Sequence, residues 1–241
     1  MHIFFAAGLT GKQFPLNEEE SLHLSKVLRL KLGETVRLLD GAGGMYEGEI
    51  QLVHQKNSVV GNLRLINSTN KRHYRLHIGI SPIKMMERFE WFLEKATEIG
   101  IDEITPVLTA RTERSVVKLV RMEKIVQAAM KQSMNAFHPV LNEAVSLDNF
   151  IKSKKENTNA FIAHCVPSEK PLLVNAAKGL TDITVIVGPE GDFTEQEIEK
   201  AVAREFSPVS LGESRLRSET AGIMVCAQVQ AAWQTGFVDS N

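Results

Sequence analysis

Ile183-Thr184-Val185-Ile186-Val187-Gly188-Pro189-Glu190-Gly191-Asp192-Phe193-Thr194-Glu195-Gln196-Glu197-Ile198 joins a strand, a loop and a helix start without a spare residue. Ile183–Val187 is apolar or β-branched throughout, the texture of a strand buried on both faces. Gly188-Pro189-Glu190-Gly191 breaks it: the glycines carry no Cβ and the proline stiffens the turn. Thr194 with Glu197 makes a capping box, and Phe193 and Ile198 stand at N′ and N4 as a hydrophobic staple requires. Strand, loop and helix in that order are part of a βαβ unit. In an open α/β sheet, ligands bind beyond the carboxyl ends of the strands.

The same texture extends outward from this segment. Candidate strands are Leu76–Ile80, Glu103–Leu108, Ala160–His164 and Pro208–Leu211, which with Ile183–Val187 alternate with helical periods and predict a largely parallel sheet. Phe89, Phe92, Leu93, Ala96 and Ile99 share one helix face, and Gly100 stands where a C-cap belongs. A second helix is expected over 118–134. After the last strand comes Leu211-Gly212-Glu213-Ser214-Arg215-Leu216-Arg217-Ser218-Glu219-Thr220-Ala221-Gly222, leading into a helix of small residues with Ser218 or Thr220 as a possible N-cap. Guanidinium groups and a carboxylate at the same sheet edge as Gly188–Gly191 suit the gripping of a planar polar substrate and the movement of a proton. Gly212-Glu213-Ser214-Arg215-Leu216 is half of a nucleophile elbow. Its second glycine is missing and no histidine follows His164, which rules out an α/β-hydrolase.

The first seventy or so residues read differently. His2–Ala6, Glu34–Asp40, Met45–Val53 and Ser58–Ile66 are strand-like, Asp40-Gly41-Ala42-Gly43-Gly44 fits a hairpin loop, and Asn17 with Glu20 forms a capping pattern before a helix. The polar stretch Asn67-Ser68-Thr69-Asn70-Lys71-Arg72 sets the domain boundary, giving domains 1–72 and 73–241. No internal repeat or low-complexity tract interrupts either.

Composition narrows the classes. With 43% hydrophobic residues in 241, the chain can bury a core, and no apolar run is long enough to span a bilayer. The start, Met1-His2-Ile3-Phe4-Phe5, lacks the features of a signal peptide, so a cytoplasmic protein is expected. Cys165 and Cys226 have no zinc spacing and are expected to be buried free thiols; His73 and His77 lack a third ligand, and no metal is assigned. Net charge is −1, but Arg111–Lys131 carries six basic and two acidic residues, the pattern of either a solvated helix face or a phosphate-binding surface.

Taken together, Gly188–Phe193, Leu211–Gly222, Ala96-Thr97-Glu98-Ile99-Gly100-Ile101 with Ile104-Thr105-Pro106, Glu113-Arg114-Ser115, Lys131-Gln132-Ser133 and His23 with Val27-Leu28-Arg29 resemble the bacterial 16S ribosomal RNA uridine-N3 methyltransferase family, of the SPOUT superfamily. The resemblance covers nearly the whole chain. It implies an N-terminal PUA-like, RNA-binding β-barrel at 1–72 and a C-terminal SPOUT-type α/β methyltransferase domain with a deep trefoil knot at 73–241. It further implies S-adenosylmethionine as cofactor, 16S rRNA as partner, homodimers and no membrane. The modest net charge adds a structured target such as an assembled small subunit. Three cofactor-binding loops are implied: Ile162, Ala163 and His164; Val187, Gly188, Pro189, Glu190 and Gly191; Leu211, Gly212 and Leu216. Arg217 would meet a uracil carbonyl oxygen as charge develops, Glu219 or a water it orients would take the N3 proton, and Thr220 would cap the last helix. RNA contacts would come from Lys26, Arg29, Arg111, Arg114, Lys118, Arg121 and Arg215. The chain departs from the family pattern at Ser214, where an arginine is common, at Asn135, and at Asp192, where Gly-Asp replaces Gly-Gly. Two other functions compete: a SPOUT enzyme acting on another RNA or base, and an RNA-binding protein without catalysis.

Overall fold

The computed structural model describes residues 1–156 and 158–236. The chain divides into two compact units, Met1–Lys71 with Gln127–His138, and Arg72–Val126 with Pro139 onward.

The first unit is built on a five-stranded sheet. Its strands are β1 (Ile3–Phe5), β2 (Gln13–Pro15), β3 (Thr35–Leu39), β4 (Gly44–Leu52) and β5 (Val59–Ser68), in the order β1-β3-β4-β5-β2. β1 runs parallel to β3 and the remaining pairs are antiparallel. β2 gave no sequence signal, being three residues long and ending in proline. Helix α1 (Glu18–Leu22) opens as expected, with Asn17 Oδ1 accepting from Glu20 N at 2.8 Å. The reciprocal half of the box does not form. The buried Glu20 carboxylate instead accepts from Lys131 Nζ at 2.5 Å and Phe5 N at 3.3 Å. Lys131 lies on α3 (Leu119–Ser133), and Met130 and Ala136 join Leu39 and Met45 in one apolar cluster. Residues 127–138 therefore belong with the first unit, whereas the sequence places all of 73–241 in the second; only long-range pairing of Lys131 and Ala136 with the first sheet distinguishes them.

The second unit is a parallel sheet with helices on both faces. Its strands are β6 (Arg75–Ile80), β7 (Glu103–Leu108), β8 (Val140–Leu141), β9 (Val145–Ser146), β10 (Asn159–Ala163), β11 (Asp182–Val187) and β12 (Phe206–Val209), with the path β12-β10-β11-β6-β7-β8 and β9 paired to β7. Alternation along β10 and β11 sends Phe161, Val185 and Val187 to one core and Ile162 and Ile186 to the other. The first core is covered by α2 (Met86–Ile99), the short α5 (Leu173–Ala176) and α7 (Ser218–Gly236), the second by α4 (Leu147–Lys152) and α6 (Glu195–Val202). Gly100 ends α2 in the left-handed region at φ 107°, as expected. α2 and α7 meet at Gly222, where a Cβ would stand 2.5 Å from Phe92 Cε2, so the glycine is what lets the helices approach. The last strand ends at Val209, two residues before the expected Leu211, which releases Ser210 and Leu211 into the loop.

At the amino ends of these strands lies a polar network. His77 Nε2 is 2.7 Å from Thr105 Oγ1, and Glu103 accepts from Arg75 and Asn142. Burial lowers the His77 pKa from 6.5 to about 4, against the opposing pull of Glu103. A histidine that charges near 6.5 when unfolded and near 4 when folded favours the native state only where it is neutral. Native stability should therefore decline as pH falls from 6.5 towards 4, and less steeply in His77→Gln; identical pH profiles of the chemical-denaturation midpoint would contradict this.

Candidate functional site

The order β12-β10-β11 sets three carboxyl ends side by side, and the loops that leave β10 and β12 bound a cleft of about 370 Å³. Ala163, His164 and Cys165 bound it from the first loop, Leu211–Leu216 from the third, and Val209 with Ala221 from beneath. A smaller recess of about 50 Å³ adjoins it, bounded by Val187–Glu190 and Asp192 of the second loop and by Arg215, Leu216 and Ser218. Gly212 adopts φ 130°, and nothing lies within 4 Å of where a Cβ would project. A side chain there would be strained, and its absence leaves room for a ligand.

Each pair of loops is latched. Ser218 Oγ donates to Gly188 O at 2.8 Å, in a buried bond between third and second. Cys165 N donates to Asp192 Oδ2 at 2.8 Å, between first and second. Leu173 N donates to Ser210 O and Ser210 N to Pro171 O, both at 2.9 Å, between first and third. Gln228 on α7 reinforces the last pair, donating to Leu211 O at 2.9 Å and accepting from Val174 N at 3.1 Å. Asp192 stands at φ 61°, a conformation that aspartate tolerates better than most side chains, so it keeps the turn a glycine would make and adds a carboxylate latch.

The first loop is also tied internally. Lys170 Nζ donates to His164 O at 2.7 Å and Val166 O at 2.8 Å and lies 3.4 Å from His164 Nδ1. Burial lowers the His164 pKa, with the Lys170 cation adding to the effect and Asp192 opposing it. Because an ammonium only donates, Nδ1 faces it as the acceptor. Burial likewise lowers the Lys170 pKa, offset in part by Cys165 and Asp192.

Beside the recess, α7 begins. Ala221 N donates to Arg217 O at 2.7 Å, so Arg217 stands at the cap position just before Ser218, and Thr220 is the third residue of the helix. The expected capping role of Thr220 is therefore corrected: it lies inside the first turn. The Arg217 side chain is exposed, and among the described residues nothing holds its guanidinium. Glu219 is buried at 7% exposure, its Oε1 3.9 Å from Arg88 Nε.

Most of the expected cofactor residues line the cleft or its recess. Two do not: Ile162 is fully buried in the core behind the loops, and Gly191 packs on Arg111 instead. The expected RNA cations also divide. Arg111 Nη1 donates to Gly191 O at 2.6 Å and Phe193 O at 3.3 Å, bracing the second loop, and Arg121 pairs with Glu90 at 2.5 Å. Lys26, Arg29, Arg114, Lys118 and Arg215 are exposed, and Arg215 borders both cavities. Cys226 is buried as expected, whereas Cys165 is exposed because the loop after β10 carries it out to the cleft. Missed in the sequence were Ser218 and Asp192 as latches, since their partners are a carbonyl and an amide 30 and 27 residues away that no spacing records, and Lys170 as the tie within its own loop. Ser218→Ala should leave the buried Gly188 carbonyl without its donor and lower stability by about 1–3 kcal/mol, read as the urea midpoint at constant slope; an unchanged midpoint would remove the latch from the account.

Residues 70–230 match the family described as RNA methyltransferase domain, and residues 16–63 match that described as RNA methyltransferase PUA domain. Ribosomal RNA small subunit methyltransferase E of Rickettsia conorii is 30% identical over 220 residues, covering 89% of this chain and 88% of that protein. Among solved structures, a probable rRNA-methyltransferase from Porphyromonas gingivalis is 33% identical with a TM-score of 0.87, covering 98% of this chain and 99% of that one. A ribosomal RNA small subunit methyltransferase E from Neisseria gonorrhoeae, bound to S-adenosyl methionine, is 26% identical with a TM-score of 0.85, covering 97% and 98%. The latched three-loop cleft thus stands in a chain that belongs, over most of its length, to the RNA methyltransferase family.

Proposed function

We propose that this protein methylates N3 of a specific uridine in 16S ribosomal RNA, with S-adenosylmethionine as the methyl donor. The observation that carries this reading is the cleft with its adjoining recess, bounded by Leu216, Ser218 and Ala221, the chain neighbours of Arg217 and Glu219 at the start of α7. Its floor of Ala163, Val209 and Ala221 and its Leu211 and Leu216 walls suit an apolar ring face, while the open side of Gly212 leaves backbone within reach of polar groups. A volume of about 370 Å³ lies within the ~300–1,000 Å³ of small-molecule sites. Ala163, His164, Gly188, Pro189, Glu190, Leu211, Gly212 and Leu216 would hold the donor.

Neutral uracil carries a proton on N3 and is a poor nucleophile there. The Glu219 carboxylate, or a water it orients, takes that proton, and the exposed Arg217 guanidinium faces the carbonyl oxygens onto which the negative charge spreads. What S-adenosylmethionine supplies when bound is an electrophilic methyl carbon, which accepts the N3 electron pair as its bond to sulfur breaks. Thr220, in the first turn of α7, helps fix the backbone that carries both residues.

Several finer assignments belong to the same reading. The strand order, with the chain returning from edge strand β12 to pack α7 on α2, supports a SPOUT-type domain with a deep trefoil knot. The first unit is read as a PUA-like β-barrel that binds RNA through Lys26 and Arg29, joined by Arg114, Lys118 and Arg215 of the second; Arg111 and Arg121 act as braces instead. On α7, Ile223, Met224, Ala227 and Ala231 form a partly exposed apolar stripe that a second copy would cover, in keeping with a homodimer. Among the described residues no helix is long and apolar enough to cross a membrane, and a ribosomal substrate supports a cytoplasmic location.

Calorimetry should show S-adenosylmethionine binding at one site per chain, and Arg217→Ala should lose methyl transfer to 16S rRNA by at least ~10²-fold while keeping that affinity. An absence of binding would leave an RNA-binding protein without catalysis, and near-normal turnover in the variant would remove Arg217 from the reaction.

A further inference from the structure

Glu197 and Glu219 are both buried carboxylates, yet only one is saturated. Glu197 Oε1 accepts from Ala110 N at 2.7 Å, and its Oε2 from Thr194 N at 2.8 Å and Thr194 Oγ1 at 3.0 Å. Glu219 Oε2 is closed to solvent and has no hydrogen-bond partner among the described residues. A buried charge left in that condition is costly, and native structures keep few of them. The cation that faces it is Arg88 on α2, whose Nε lies 3.9 Å from Glu219 Oε1. That distance is an ion pair but not a hydrogen bond, so it holds the carboxylate electrostatically without using up its acceptor capacity.

The pair is fixed by packing below it. Phe92 lies one turn after Arg88 on α2, and Gly222 three residues after Glu219 on α7; these two form the close contact at which the helices meet. Both members therefore stand on regular helices in place of loops, which is how a group is held to a narrow range of positions. The second position of α7 also puts Glu219 where the helix dipole favours a negative charge.

We propose that Arg88 is a positioning residue for the reaction: it holds the Glu219 carboxylate oriented, with unused acceptor capacity for the proton of the substrate base. This rests on the reading of Glu219 as the proton acceptor. A double-mutant cycle in the full-length protein tests it, with Arg88→Met, Glu219→Gln and the double variant compared in single-turnover methyl transfer to 16S rRNA. Glu219→Gln should slow transfer by ~10²–10⁴-fold and Arg88→Met by about tenfold. Adding Arg88→Met to Glu219→Gln should slow it no further, because there is then no carboxylate for the guanidinium to hold. Arg88→Lys should recover most of the rate, and calorimetric affinity for S-adenosylmethionine should stay within about threefold in every variant. Equal losses from Arg88→Met in both backgrounds, or wild-type rates in Arg88→Met alone, would overturn the proposal. Wild-type rates in Glu219→Gln would instead overturn the reading beneath it. A loss of cofactor affinity or of the thermal midpoint in Arg88→Met, matched to the loss in rate, would assign Arg88 to the scaffold and also overturn the proposal.

Discussion

Three neighbouring parallel strands, β12, β10 and β11, end at one edge of the sheet, and the hydrogen bonds between their backbones hold those ends in register. Everything at the candidate site follows from that constraint. Loops 164–172, 188–193 and 210–217 are distant in sequence but have no choice except to emerge together, and the latches from Ser218, Asp192, Ser210 and Gln228 convert proximity into a defined cleft. None of the latches is strong alone; an internal hydrogen bond contributes about 1 kcal/mol net. Their value lies in joining every loop to both of the others, so that one wall cannot shift without straining the rest.

The division of labour at the site has the same origin. Most residues that line the cleft lie on loops, where backbone and glycine geometry can conform to a ligand, whereas Arg217 and Glu219 stand at the start of a helix locked to α2 by the Phe92–Gly222 contact. On the proposed function, chemistry that depends on a narrow geometry would be carried from a helix start, and recognition from loops.

Much of this was legible in the sequence, and the exceptions are instructive. The Thr194–Glu197 capping box, the Gly100 C-cap and the strands flanking each loop depend on residues within a few positions of one another, and all formed. What escaped depends on partners far along the chain. Glu20 was readable as half of a capping box, but a lysine 111 residues away takes its carboxylate. Arg111 was readable as part of a basic cluster, but its guanidinium is spent on the carbonyls of Gly191 and Phe193. Thr220 looked like a cap because the loop gives no sign of where α7 starts; the helix begins at Ser218, with Arg217 at the cap position. Charge counts and local spacing show what a residue can do, and tertiary contacts decide whether it is left available to do it.

On the proposed function, the cleft and the helix start beside it serve one reaction at one kind of nucleobase position. Its most direct test is nucleoside mass spectrometry of small-subunit RNA and of transfer RNA after incubation with the protein and S-adenosylmethionine. The account predicts N3-methyluridine at a single position of 16S rRNA, approaching one methyl per molecule, and none in transfer RNA; methylation of a different base, methylation of transfer RNA, or no methyl incorporation would contradict it.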